Sequence, residues 1–227
     1  VKNGELFIAL PGEKHHGARF AQDAKDSGAI AILTDSEGLD LASKSLRNFP
    51  ILVVENPRSR IGYLADWFHN SPSRALFLAG ITGTNGKTTT VELTESIFKA
   101  AGINAFACGN VGTPVIDAVT SEAKYDYLIL ELSSFQLHWS ETAEFVAGSI
   151  LNIALDHIDW HGSFSEYAKS KLDLLSHSAT AILNGDDAAV VEGSQHWQGR
   201  KVFYTLQTPK PGEIGLVEDL LVDRAFV

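Results

Sequence analysis

Methionine is absent from the 227 residues, which begin on Val1, so the sequence reads as a piece of something longer whose ends are treated as cuts. Cysteine is nearly absent: Cys108 alone excludes an internal disulfide framework, fits a reducing compartment, and is expected to be a packed side chain rather than a nucleophile. No apolar run approaches the roughly 20 residues that cross a bilayer, and nothing at the start has the pattern of a signal peptide. The expected compartment is therefore the cytoplasm, without membrane insertion. Positive charge is scarce too, with 18 Lys and Arg against 28 Asp and Glu and a formal net charge of -10. That balance argues against nucleic acid or an anionic membrane as partner. Any anionic ligand must be held locally, by a lysine, by backbone amides or by a metal.

What is present is apolar content of 44%, enough to give one large or two small domains a core. Short β-rich runs alternate with helical segments: LFIAL (6–10), AIAIL (29–33), ILVV (51–54), LFLAGI (76–81), YLILEL (127–132), GSILNI (148–153) and AILN (181–184). Runs apolar on both faces predict strands buried in parallel sheets beneath helices, and the class is α/β. Asn56 can cap a helix with Pro57 in its first turn, and Ile61, Leu64, Ala65 and Phe68 recur as a stripe that would pack on a sheet. The polar stretch HNSPSR (69–74) breaks that helix. It divides an incomplete N-terminal βα domain, residues 1–74, from a central domain, residues 75–227. The tail, EIGLV (213–217) and LLVDRAF (221–226) about a short acidic turn, predicts a hairpin or sheet edge. No internal repeat is present.

The most informative stretch is LAGITGTNGKTTTVELTESIF (78–98), a strand that passes through Gly-rich backbone into a helix. Such a junction presents amide N–H groups and a positive helix end to phosphate. A strict Walker A pattern fails, because the position five before Gly86 is Ile81 and Gly80 is one residue out. The mechanical parts are nevertheless there: Gly83 and Gly86 for close backbone approach, Thr84 and Asn85 between them, Lys87 for the β/γ-phosphates, the Thr88 hydroxyl for magnesium, and Thr89 on the first turn. Val91, Thr94, Phe98 and Ala101 support a helix ending at Gly102. A Gly-rich turn with an exposed lysine explains neither the threonine run nor the strand-turn-helix context.

With TGTNGKTTT (82–90) followed in order by GNVGTP (109–114), LELSSFQL (130–137), LNIALDHIDWHG (151–162) and YAKSK (167–171), most of residues 75–227 resembles the Mur ligases, the ATP-dependent amino-acid ligases of peptidoglycan precursor synthesis. Within that family, ELSSFQL and GNVGTP are similar to the member that adds D-glutamate to UDP-N-acetylmuramoyl-L-alanine. The tripeptide-forming member more typically has histidine where this chain has Gln136. Residues 1–35 instead resemble the uridine-nucleotide domain of the tripeptide-forming member, which adds diaminopimelate or lysine to UDP-muramoyl-L-Ala-D-Glu. The family's third, Rossmann-like domain has no counterpart after Val227, and the strand expected before Val1 does not appear. As it stands the chain is expected to bind ATP poorly and to turn over slowly, if at all.

The resemblance implies an acyl phosphate made from a substrate carboxylate and ATP, then displacement of phosphate by the amine. Bringing two anions together calls for positive charge, which Lys87 and two magnesium ions would supply. It implies Thr88 for the first ion, and Glu131, His157 and Lys171 for the metal set, with Lys171 carbamylated by carbon dioxide. One imidazole suits magnesium only in a mainly oxygen-ligated site. Carbamylation needs a neutral amine, and burial lowers a lysine pKa in that direction. From spacing alone Lys171 reads as a helix-surface residue, and motif order reverses that; Lys169 stays a solvated charge. Asn110, Ser133 and Gln136 match positions that contact the UDP-muramoyl-peptide substrate. A turn role for Asn110 and a helix cap at Ser133 remain open.

Asp156 and Asp159 read as partners of the His157 imidazole or as caps, and His161 and Trp160 carry no assigned role. ILNGDD (182–187) reads as a structural turn with an edge on the nucleotide. Adjacent His15 and His16 read as loop surface, in a turn (13–19) that the resemblance makes an edge of the uridine site. A monomer is expected. The competing readings are a folylpolyglutamate-synthetase-like ligase and a non-catalytic P-loop nucleotide-binding module.

Overall fold

The computed structural model describes residues 1–71 and 76–226. The chain divides into two compact units, Val1–Ala65 and Asp66–Val227; the join expected between residues 74 and 75 lies outside the described residues.

In the first unit, β1 (Leu6–Ile8), β2 (Ala31–Thr34) and β3 (Ile51–Val53) form a parallel sheet in that order. A 3₁₀ turn (Gly17–Phe20) leads into α1 (Ala21–Asp26), and α2 (Ser36–Ala42) carries the chain from β2 towards β3. Parallel neighbours require such crossovers. The core is thin, made of Ala9, Ala18, Ala21, Ile32, Ala42 and Leu46. α3 (Pro57–Phe68) starts as expected, with Asn56 Oδ1 accepting the Ser59 N–H at 3.2 Å. Its stripe is only half realised, because Ile61 and Leu64 are half-buried while Ala65 and Phe68 are exposed.

One expectation is overturned here. His16 is 7% exposed and is no surface residue. Its Nδ1 accepts the Ala18 N–H at 3.0 Å and its Nε2 lies 3.0 Å from Asp35 Oδ1, so the imidazole ties the 3₁₀ turn to the start of α2. Since Nδ1 is an acceptor, Nε2 carries the proton and donates to Asp35.

The second unit is built on an eight-stranded sheet. Its strands are β4 (Phe77–Thr82), β5 (Ala105–Gly109), β6 (Tyr127–Glu131), β7 (Ala147–Ile150), β8 (Thr180–Asn184), β9 (Arg200–Tyr204), β10 (Glu213–Val217) and β11 (Leu220–Asp223). Their spatial order is β11-β10-β9-β8-β7-β4-β6-β5, parallel throughout except for the antiparallel β10–β11 hairpin at one edge. The α/β class, the mostly parallel sheet and the tail hairpin are all as the sequence implies. β5 and β9 are additional strands.

Crossovers are made by α4 (Lys87–Ala100), α5 (Val115–Thr120), α6 (Ser134–His138), α7 (Ile158–His161), α8 (Phe164–Ser176) and α9 (Ala188–Ser194). From β4 the chain goes to one side for β5 and β6 and to the other for β7. The carboxyl end of β4 is thus a topological switch point, where open α/β sheets form their ligand crevice. Leu128, Leu130, Leu174 and Leu183 are among the residues that fill the core between sheet and helices.

Candidate functional site

The residues after β4 form the phosphate-type loop. Gly86 sits at φ +81° as N-cap of α4, a left-handed conformation that glycine adopts without penalty. A Cβ there would meet only Leu151 Cδ1 at 3.7 Å, so the need for glycine is conformational rather than steric. The N–H groups of Lys87, Thr88 and Thr89 open α4 and have no intrahelical carbonyl to bond. With the helix dipole they make this end attractive to an anion.

Lys87 folds back on its own loop, with Nζ donating to the carbonyls of Gly83 at 3.0 Å and Thr84 at 3.2 Å. Lys171 reaches the same place from α8, donating to the Gly83 carbonyl at 2.9 Å and lying 3.5 Å from Thr82 Oγ1. Two ammonium groups therefore share one carbonyl. Lys171 is 2% exposed, which overturns the surface reading that spacing alone gives. Burial first, and then the charge of Lys87, bring its pKa down to about 8, against an opposing pull from Asp156. The Tyr167 ring lies under its Nζ at 4.9 Å. Lys169 is exposed, as expected.

Glu131 ends β6, 3% exposed, with Oε2 accepting from Thr88 Oγ1 at 2.8 Å and Oε1 from Asn110 Nδ2 at 3.2 Å. Asn110 also donates its backbone N–H to the Glu131 carbonyl at 2.9 Å. A buried carboxylate held by neutral donors favours a nearby cation, and the oxygen donors of Thr88 and Glu131 suit magnesium. Among the described residues no three His, Cys, Asp or Glu side chains gather closely enough to hold a metal by themselves. A magnesium ion here would have to complete its shell with water or phosphate.

His157 precedes α7 at φ 49°, a strained conformation for a non-glycine residue. Its backbone N–H donates to Asp156 Oδ1 at 2.9 Å, and its Nε2 lies 3.5 Å from Asp156 Oδ2. Ser133 and Gln136 form a reciprocal capping box on α6: Ser133 N–H and Oγ both donate to Gln136 Oε1 at 2.9 Å, and Gln136 N–H donates to Ser133 Oγ at 3.3 Å. The capping alternative left open for Ser133 is therefore realised, and Gln136 shares it.

Three features escaped the sequence reading. The Thr84 hydroxyl lies 3.0 Å from the Tyr167 hydroxyl and accepts the Ala154 N–H at 2.9 Å. Asn152 bonds the loop through both its side chain and its backbone, so the amides of Thr84 and Asn85 are engaged there rather than turned to an anion. His161 links Ser134 at 3.0 Å and Ser170 at 3.4 Å and stacks on Phe135; burial, then the charges of His138, His157 and Lys171, hold its pKa below the ordinary value. The polar residue straight after the β7 apolar run was the available signal for Asn152.

ILNGDD is structural where it is resolved into contacts: Asp187 caps α9 through Val190 N–H at 3.0 Å and accepts the Ile153 N–H at 3.1 Å. In the first unit a cavity of about 220 Å³ is lined by Lys14, His15, His16, Arg19 and Glu37 among others.

The sequence model of the Mur ligase middle domain matches residues 81–218, and that of the Mur ligase family catalytic domain matches residues 1–68. The UDP-N-acetylmuramoylalanine–D-glutamate ligase of Thermobifida fusca (strain YX) is 48% identical over 161 residues, 69% of this chain and 34% of that protein. The enzyme of the same name from Streptomyces coelicolor is 47% identical over 152 residues, 65% of this chain and 32% of that protein. The chain thus spans about a third of the length of these relatives. Among solved structures, the MurF ligase from Thermotoga maritima in complex with ADP gives a TM-score of 0.64 at 21% identity, over 92% of this chain and 49% of that chain. MurF from Acinetobacter baumannii gives 0.67 at 19% identity, over 96% of this chain and 48% of that chain. At such identities the likeness concerns the fold alone.

Proposed function

The chain belongs to the Mur ligase family, and we propose that it is the nucleotide- and substrate-binding part of an ATP-dependent ligase that adds D-glutamate to UDP-N-acetylmuramoyl-L-alanine. The observation that carries this reading is the convergence at the carboxyl end of β4. Two lysines meet on the Gly83 carbonyl there, beside a helix N-terminus and a Thr88–Glu131 pair.

Each group then has a task. Lys87 and Lys171 repel one another while both rest on one carbonyl, so a phosphate offers Lys87 a better partner. The α4 amides bind the same phosphates, with Gly83, Thr84, Asn85 and Gly86 shaping the loop around them. The substrate carboxylate attacks the γ-phosphorus of ATP, expelling ADP; the D-glutamate amine then attacks the acyl carbon and expels phosphate. Magnesium, bound through Thr88 and Glu131 and a second ion near His157, would neutralise the charge of the two reacting anions. Carbamylation of Lys171 would turn its cation into an oxygen ligand, which the lowered amine pKa favours. Asn110, Ser133 and Gln136 face the muramoyl-peptide. The working unit is a monomer in the cytoplasm.

A second reading, the tripeptide-forming step, is supported by the resemblance of residues 1–35 to that member. Phosphate release by the full-length protein separates the two. Release from ATP and UDP-N-acetylmuramoyl-L-alanine should depend on D-glutamate. Dependence instead on diaminopimelate or lysine with the UDP-muramoyl-L-Ala-D-Glu substrate selects the alternative, and release without any amino acid contradicts both.

A further inference from the structure

Resting on the nucleotide reading above, we infer that Asn152 is a positioning residue for the phosphate loop, one that decides which of the loop's amides are left for the anion. Asn152 lies just beyond β7, on the segment that runs beside the loop. Its side chain grips Asn85 at both ends, with Oδ1 accepting the Asn85 N–H at 2.8 Å and Nδ2 donating to the Asn85 carbonyl at 3.1 Å. Its own carbonyl accepts the Thr84 N–H at 3.0 Å. Because a backbone N–H only donates and a carbonyl only accepts, a single orientation of the amide satisfies both contacts. Neither Asp, which has no donor, nor an aliphatic residue can reproduce it.

The neighbouring contacts extend the lacing. Ala154 N–H donates to Thr84 Oγ1 at 2.9 Å, and that hydroxyl meets Tyr167, which is 1% exposed. The loop runs close along this segment: a Cβ on Gly83 would meet Leu151 Cβ at 3.0 Å and the Asn152 nitrogen at 3.4 Å. The descending limb Thr84–Asn85 is thus held as if it were an added strand, with its N–H groups committed to Asn152. The N–H groups available to a phosphate begin at Gly86 and continue through Lys87, Thr88 and Thr89 on the first turn of α4. Preforming this division spares the nucleotide the cost of ordering the loop.

Titration of the full-length protein with magnesium ATP tests this. Asn152→Ala should weaken ATP binding on the order of tenfold, the effect of about one hydrogen-bonded contact to a preorganised site. Asn104→Ala, which removes an amide contact to the Lys124 carbonyl at the opposite end of the sheet, should bind ATP like the unaltered protein. Equal binding by Asn152→Ala, or equal weakening by both variants, overturns the proposal. Amide hydrogen exchange on the unaltered protein needs no variant to fold. The Thr84 and Asn85 amides should be protected already without nucleotide, and those of Gly86 to Thr89 only after ATP is added. Unprotected Thr84 and Asn85 amides in the free protein overturn the positioning role and leave the nucleotide reading standing. An unaltered protein that binds no ATP overturns both.

Discussion

Lys171 shows how burial and chemistry meet in a single side chain. In the unfolded chain its pKa is the ordinary 10.5 and in the fold it is about 8, so between those values the unfolded state holds more protons. Its contribution is therefore a penalty that is fully present below pH 8 and is relieved as pH rises towards 10.5. Urea unfolding at several pH values should show the unaltered protein gaining on Lys171→Met from pH 7 to 10. At pH 7 the variant should be the more stable, by up to about 3 kcal/mol less the lost bond to Gly83. The buried face of α8 was partly legible, since Tyr167, Leu174 and Leu175 fall on one stripe. That a lysine shares it was not, because spacing cannot say which polar side chain finds a partner inside. Only motif order pointed to Lys171. Cys108 is the plainer case: 1% exposed, with burial pushing its thiol to about 11. Iodoacetamide at pH 8 should leave it unmodified in the folded protein and modify it after denaturation.

Elements carried by local chemistry were the readable ones. The loop-to-α4 junction, the Asn56 cap and the Gly102 stop all followed from residue types with strong backbone preferences. β5 was missed because AFACG is short and ends in glycine, and β9 because RKVFY opens on two charges; both are strands through pairing with distant neighbours. The α3 stripe went wrong at its end, where Ala65 and Phe68 face outward. Two substitutions probe the elements that matter. Gly86→Ala should destabilise by about 1–2 kcal/mol through its left-handed φ and weaken ATP binding as well, measured by thermal unfolding and titration. Ser133→Ala should cost about 1 kcal/mol through loss of the α6 cap. If Ser133 also contacts the muramoyl-peptide, affinity for that substrate falls beyond what the shared loss of stability explains.

At the scale of the molecule, the two units differ in what holds them. The first has a three-stranded sheet over a core rich in alanine, which buries little apolar area per residue. The second has eight strands and a core of leucine, isoleucine, phenylalanine and tyrosine side chains. Hydrogen exchange should find β1 to β3 opening at lower free energy than β4, β6 and β7, and equal protection would contradict this. Contacts divide the chain into compact units after Ala65, a division that composition does not mark, because composition shows where a chain can bend and not where contacts end. The most direct test of nucleotide capture at the β4–α4 junction is a crystal structure with a non-hydrolysable ATP analogue and magnesium. Phosphates should lie on the amides of Gly86 to Thr89, with Lys87 Nζ moved from the Gly83 carbonyl onto a phosphate oxygen and magnesium beside Thr88 and Glu131. Triphosphate bound elsewhere, or Lys87 still resting on Gly83, would contradict it.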